Sequence, residues 1–287
     1  MYFRNYQNED YQLVCDFLIK INKDDKTHIN WNWARLEWMS EHPFFNKELI
    51  HYIGLWFDND ELVAVAIYDM YFGEASCLTL PEYSYLFSEV LEYAYNNLQD
   101  ENGLGVAINK NSAEEIEKCM VSQFVLSEQK EIVMSFETKI VSEISLPNSF
   151  KFVEVSPEKN LDEIEWVIYQ GFDNGDDKEE FERQRKPFHQ RAHFNPYLNL
   201  AIENSDGEKV AYCSLWYDER TDYAYLEPLC VIPNYRHFGL GKALVLKLIE
   251  RVSKMGVKKV YVISDLEFYK KIGFVISQEY SFYWKKP

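Results

Sequence analysis

Arg236, Gly239 and Gly241 stand in VIPNYRHFGLGKALV, residues 231–245, where a short apolar run passes through a turn into a helical pattern. A helix start exposes unpaired backbone N–H groups and a partial positive charge. Glycine opens backbone angles closed to other residues and lets an anion come close to the chain. Together these can cradle a pyrophosphate, with the Arg236 guanidinium as a bidentate donor. The other reading is a tight turn with a surface arginine. The spacing fits neither a P-loop, which ends in Gly-Lys-Ser/Thr, nor a Rossmann turn, which needs a third glycine.

Two further residues stand out. Glu227 lies inside the apolar run YLEPLCV, directly before Pro228. Proline cannot donate to a sheet ladder, so strand pairing should loosen there. A carboxylate in such a place is costly unless solvated, paired or useful. Downstream, SDLEFYKKIGF places Tyr269 four residues before Gly273.

Residues 225–274 resemble the GNAT acyltransferase superfamily. The resemblance rests on Val231-x-Pro233-x-Tyr235-Arg236-x-x-Gly239-x-Gly241, followed by Phe268-Tyr269-x-x-x-Gly273-Phe274. It covers residues 150–287 in element order and residues 1–140 only faintly. It implies that the amides of Arg236, His237, Phe238, Gly239, Leu240, Gly241 and Lys242 hold the CoA pyrophosphate. It implies also that two central strands splay, with the backbone at Cys230 and Val231 bonding pantetheine and the acyl carbonyl. Acetyl-CoA is then the cosubstrate, and no metal is expected.

An amine attacking a thioester must be neutral, yet alkyl amines are protonated at pH 7. Glu227 is the candidate base, directly or through water, though a structural carboxylate is the other reading. Tyr269 matches the family's position for the acid that protonates the departing thiolate. The segment after the first strand usually contacts the acceptor in this family. Asp173, with Asp176 and Asp177, would suit an ammonium group or form an exposed charged loop, and Trp216 and Tyr217 on the adjacent strand would line the cleft or simply pack. His189 and His193 are four apart; a surface or structural role is expected for them.

The elements that must position these residues recur. LVAVAIYD (62–69) resembles KVAYCSLWYD (209–218), PEY (81–83) matches PNY (233–235), and QFVLSEQKEIVMSFE (123–137) resembles GFVISQEYSFYWKK (273–286). Each half reads as an opening strand, helical material, a strand pair with a polar turn, a third strand, the Pro-x-Tyr turn and a long helix. Another strand, a short helix and a terminal strand pair follow. Leu244, Leu248, Val252 and Met255 have near-helical spacing, with Gly256 just past the end. Tyr280, Phe282 and Trp284 alternate with Ser281, Tyr283 and Lys285, as in a half-buried strand. The expected class is α+β: two GNAT-like domains, 1–143 and 144–287, each a mixed, mostly antiparallel sheet flanked by helices.

The first copy has lost the signature. Aligning Pro81 with Pro233 places Ser84 at Arg236, Phe87 at Gly239 and Glu89 at Gly241. Bulk and negative charge replace an anion cradle, and Cys119 falls where Tyr269 would be. Productive acyl-CoA binding is therefore expected only in the second copy, a layout similar to other double-GNAT enzymes.

Bulk properties set the frame. The 287 residues are 47% hydrophobic and 16% aromatic, enough for real cores, and the formal charge is −17. That charge argues against nucleic acid or anionic lipid as partners. Residues 1–145 hold 10 Lys+Arg against 25 Asp+Glu, whereas seven cations lie between Arg236 and Lys259. Five cysteines without a C-x-x-C pairing read as reduced thiols, and the histidines show no metal-ligand spacing. No signal peptide or membrane span is expected near the N-terminus. The expectation is a cytoplasmic monomer or homodimer, an N-acetyltransferase for a small-molecule or peptide amine. A non-catalytic acyl-CoA-binding regulator, or transfer to a hydroxyl or thiol, stays open.

Overall fold

The computed structural model describes residues 1–42, 45–139, 144–156, 159–184 and 193–287. Contacts divide the chain into two compact units. One comprises Met1–Met134, Ile263–Leu266 and Ile276–Pro287; the other comprises Ser135–Val262 and Glu267–Val275. The units therefore interleave along the sequence; the expected boundary at 143/144 adjoins residues 140–143, which lie outside the described residues.

The first unit contains β1 (Tyr2–Asn5), α1 (Tyr11–Ile21), α2 (Trp33–Glu41), β2 (Gly54–Asp58), β3 (Glu61–Asp69), β4 (Tyr71–Thr79), α3 (Phe87–Leu98), β5 (Leu104–Asn109), α4 (Ala113–Val121) and most of β6 (Val125–Glu137). Its strands run in the order β1-β2-β3-β4-β5-β12-β6, where β12 is Val275–Lys285. The β2–β3 hairpin turns at Asn59 and Asp60, both left-handed at φ 47° and 66°, as a two-residue hairpin turn requires. Val90, Leu91, Ala94 and Leu98 are buried along α3 at helical spacing.

The second unit contains β7 (Lys151–Glu154), α5 (Leu161–Gly171), α6 (Lys178–Gln184), β8 (Asn199–Glu203), β9 (Lys209–Tyr217), β10 (Tyr223–Val231), α7 (Leu240–Lys254), β11 (Lys259–Ile263) and α8 (Glu267–Ile272). Its strand order is β11-β10-β9-β8-β7. Within each unit the sheet is mixed and mostly antiparallel. The parallel neighbours are β4 with β5 and β10 with β11. A core under α5 gathers Val155, Ile164, Val167, Ala201, Tyr212 and Cys230. Leu244, Leu248 and Val252 are fully buried on α7.

Two expectations need correction. Met255 is not on the buried stripe: it is the C-cap of α7 and 37% exposed, because the helix ends at Lys254. The terminal strand pair is a single strand, β12, registered on β5 from Tyr280↔Asn109 to Lys285↔Leu104. Tyr280 and Phe282 are buried as the alternation requires, but Tyr283 is buried too. An interior strand is covered on both faces, so the half-buried pattern breaks.

Candidate active site

β10 and β11 keep parallel register only at Tyr223↔Lys259, Ala224↔Val260 and Tyr225↔Tyr261, although β10 runs on to Val231. The strands part beyond Tyr225. On its other side, β10 stays paired with β9 but shifts register between Leu226 and Leu229. Pro228, which has no N–H to give the ladder, sits in that bulge. The sheet therefore opens where Glu227 sits.

The facing pair Tyr225↔Trp216 holds Glu227 from two directions. The indole Nε1–H of Trp216 donates to the Glu227 carbonyl at 2.5 Å. The Tyr225 hydroxyl donates to Glu227 Oε2 at 3.3 Å. Trp216, expected to line the acceptor cleft or to pack, is 3% exposed. Its observed contact is with the backbone of the candidate base.

Tyr269 arrives from the departing strand: β11 leads into α8, which carries it. It is buried between the rings of Phe268 and Phe274. Burial pushes its phenol well above the usual range, helped by the Cys213 thiol and the Glu227 carboxylate. The hydroxyl therefore stays protonated at neutral pH, as an acid must. Cys230 is buried as well. Its thiol packs in the α5 core, donates to the Val167 carbonyl at 3.8 Å, and is pushed up to about 12 by burial.

The turn after Val231 is built for main-chain contacts. A single 3-10 turn, Pro233–Tyr235, leads to Arg236 in extended conformation; His237 (φ 69°) and Gly239 (φ 80°) are left-handed. Left-handed residues alternating with others turn successive N–H groups into an anion-binding concavity. Gly239 is the N-cap of the 15-residue α7 and no side chain caps it. Space beside Gly239 is open, whereas a Cβ on Gly241 would stand 3.3 Å from the Phe268 ring. An uncapped helix start, left-handed residues in the turn and open space beside Gly239 suit a diphosphate.

The Arg236 side chain has other partners. Its Nε donates to the Val231 carbonyl at 3.1 Å; its Nη2 donates to the Gly171 carbonyl at 3.0 Å and to Asp173 Oδ1 at 2.8 Å. Asp173, expected at the acceptor or in an exposed charged loop, is the ion-pair partner of Arg236. Asp177 accepts from the amides of Glu179 and Glu180 and so starts α6. His189 lies outside the described residues. The holding of Glu227 by Trp216 and Tyr225, and the closeness of Gly171 to β10, had no signal in the sequence.

The counterpart in the first unit is shaped differently. Its 3-10 turn, Pro81–Leu86, runs into α3 through Leu86 in right-handed conformation, with no left-handed residue in the turn. Phe87 is 1% exposed, Glu89 accepts from the Trp56 indole at 2.7 Å, and the Lys118 ammonium donates to the Ser84 carbonyl at 2.7 Å. β4 and β5 also part, after Ala75↔Val106. The cavity there is about 250 Å³, with Asp25, His28, Glu114, Glu115 and Lys118 in its wall. Carboxylates prevail where a diphosphate would need donors.

Residues 159–274 match the family model described as acetyltransferase (GNAT) family. This stretch is similar to the GNAT family. The matched stretch includes the splay, the turn and Tyr269. No curated protein matches the chain. Among solved structures, a tandem GNAT protein from the clavulanic acid biosynthesis pathway superposes with TM-score 0.61 at 12% identity, covering 99% of this chain and 98% of that one. A GCN5-related N-acetyltransferase from Sphaerobacter thermophilus gives 0.59 at 14% identity, covering 99% and 95%. The C-terminal domain of a lysylphosphatidylglycerol synthetase from Agrobacterium fabrum gives 0.57 at 11%, covering 96% and 91%. At such identities the likeness is one of fold, here two GNAT folds in tandem. Among the described residues no three metal-ligating side chains gather, and no helix is long and apolar enough to cross a membrane.

Proposed function

We propose that the second unit transfers an acetyl group from acetyl-CoA directly to a primary amine of a small molecule or peptide. The observation that carries this reading is the parting of β10 from β11 with Glu227 at the opening and the protonated Tyr269 entering from the departing side. The amides of residues 237–242 hold the diphosphate, the Arg236 N–H being bonded to the Pro233 carbonyl at 3.2 Å, and the backbone at Cys230 and Val231 holds pantetheine.

Acetyl-CoA supplies the thioester. Glu227 takes a proton from the acceptor ammonium, directly or through water, and leaves a neutral nucleophile. Main-chain N–H groups at the opened strand stabilise the carbonyl oxygen as it gains charge. Tyr269 gives its proton to the sulfur as the C–S bond breaks, and the proton lost from the attacking nitrogen restores the phenol. The roles differ because the environments differ. Glu227 is partly exposed and held by two donors, whereas burial keeps the Tyr269 hydroxyl protonated.

The test is thiol release from acetyl-CoA in the presence of a panel of primary amines. Turnover with at least one amine is expected. Tight CoA binding without turnover on any amine would favour a binding module; turnover only with alcohols or thiols would move the acceptor class.

A further inference from the structure

Three contacts converge where the cofactor turn meets the end of α5. Arg236 bridges Val231, Gly171 and Asp173 with one guanidinium, 37% exposed at the side chain. Gly171 sits so close to β10 that a Cβ on it would stand 2.6 Å from the Cys230 Cβ. No larger residue fits there without moving helix or strand. Asp173 follows in left-handed conformation at φ 60°, which turns its carboxylate back to Arg236. Val231 and Arg236 bound the cofactor turn; Gly171 and Asp173 open the segment proposed to face the acceptor.

We infer that Arg236 is a positioning residue, which fixes the acceptor-side segment after α5 to the cofactor turn, and that its charge is spent on this tie rather than on the CoA phosphates. This rests on the reading of the turn as a CoA site. On that reading the amides of residues 237–242 and the α7 start hold the diphosphate, while the guanidinium is bonded to a strand end and a helix end. Filling the turn then stiffens residues 171–174. Acceptor binding is helped by prior cofactor binding, with both events passing through one side chain.

The sign of one substitution separates the tie from direct phosphate binding. Asp173→Asn removes a negative charge beside the site of a polyanion. If Arg236 reached the phosphates, freeing it from Asp173 would tighten CoA binding. If Arg236 is a tie, Asp173→Asn loosens residues 171–174 and weakens CoA binding about two- to fivefold, the range for a partly exposed ion pair. Arg236→Met should weaken it further.

The experiment uses the full chain with CoA as probe. Calorimetric titration of wild type, Asp173→Asn and Arg236→Met is paired with hydrogen exchange over residues 168–178, with and without CoA. Faster exchange in both variants before CoA is added, with weaker CoA binding in Asp173→Asn, supports the tie. Tighter CoA binding by Asp173→Asn, or exchange over 168–178 equal to wild type, overturns it. Exchange without ligand judges the tie even if wild type binds no CoA, an outcome that sinks the functional reading instead.

Discussion

The Trp216 indole and the Glu227 carbonyl lie 2.5 Å apart across the bulge of β9 and β10. The bond needs the irregularity. In a regular ladder that carbonyl would face a strand neighbour or lie in plane, out of an indole's reach. Because the Tyr225 hydroxyl takes Oε2, both ends of Glu227 are fixed. Glu227→Gln should lower kcat by about 10²–10⁴, the usual span of general acid–base catalysis, and leave CoA affinity near wild type. Tyr225→Phe removes one neutral-donor bond, so its loss should be nearer fivefold, about 1 kcal/mol. Steady-state rates with calorimetric CoA titration read both.

Tyr269 has to keep its proton to act as an acid. Burial raises its pKa, so the protonated form extends upward in pH beyond the free phenol's range. Wild-type kcat should show no alkaline fall attributable to the tyrosine up to about pH 10. Tyr269→Phe should cost about 10²-fold in kcat at pH 7.5, and less with an acyl donor whose thiol is more acidic. A pH–rate series with two thioesters checks this; equal losses for both donors would remove the acid role.

In the first unit, His28 Nε2 lies 3.6 Å from Glu115 Oε1, with both side chains under one-fifth exposed. Burial pushes Glu115 up to about 7 and His28 down to about 4. Glu115 thus contributes stability that is complete below its unfolded pKa and lost as pH rises through 7. His28 contributes stability that is complete above its unfolded pKa and lost as pH falls through 4. Between about pH 4.5 and 6.5 the slopes oppose. Glu115→Gln should therefore gain stability relative to wild type as pH rises from 5 to 7.5, by up to about 3 kcal/mol. His28→Gln should show its largest relative gain near pH 4. Urea melts across pH read both; parallel pH profiles for all three proteins would contradict the assignment.

Gly239 bears the turn's left-handed geometry in open space. Gly239→Ala meets no atom but pays for φ 80° in backbone energy, so about 1 kcal/mol of stability should go. Gly241→Val should instead push on Phe268 and displace the α7 start. CoA affinity should fall more than stability does, as read by titration against thermal melts.

The part of the candidate site legible in the sequence is the part that local backbone sets. Pro228, Pro233, Gly239 and Gly241 dictate local backbone, and local backbone makes the bulge and the turn. Side-chain partnerships across distant segments left no local trace. Arg236 and Asp173 are 63 residues apart, so the pair looked like a phosphate donor and an acceptor contact. For Trp216 the sequence leaves cleft lining and packing equally open, because nothing in its strand shows which way an indole N–H points. In the first copy, the loss of the signature was plain, but the straight helical path through Leu86 was not. The two copies are similar enough in pattern to separate along the chain, yet β12, at the end of the second, belongs to the first unit's sheet.

The central claim is that one of two similar turns binds the cofactor. A crystal structure of the full chain with CoA tests it most directly. The account predicts diphosphate oxygens on the amides between His237 and Lys242 and none at the start of α3. Density for CoA at Leu86–Glu89, or CoA held away from residues 236–242, would contradict it.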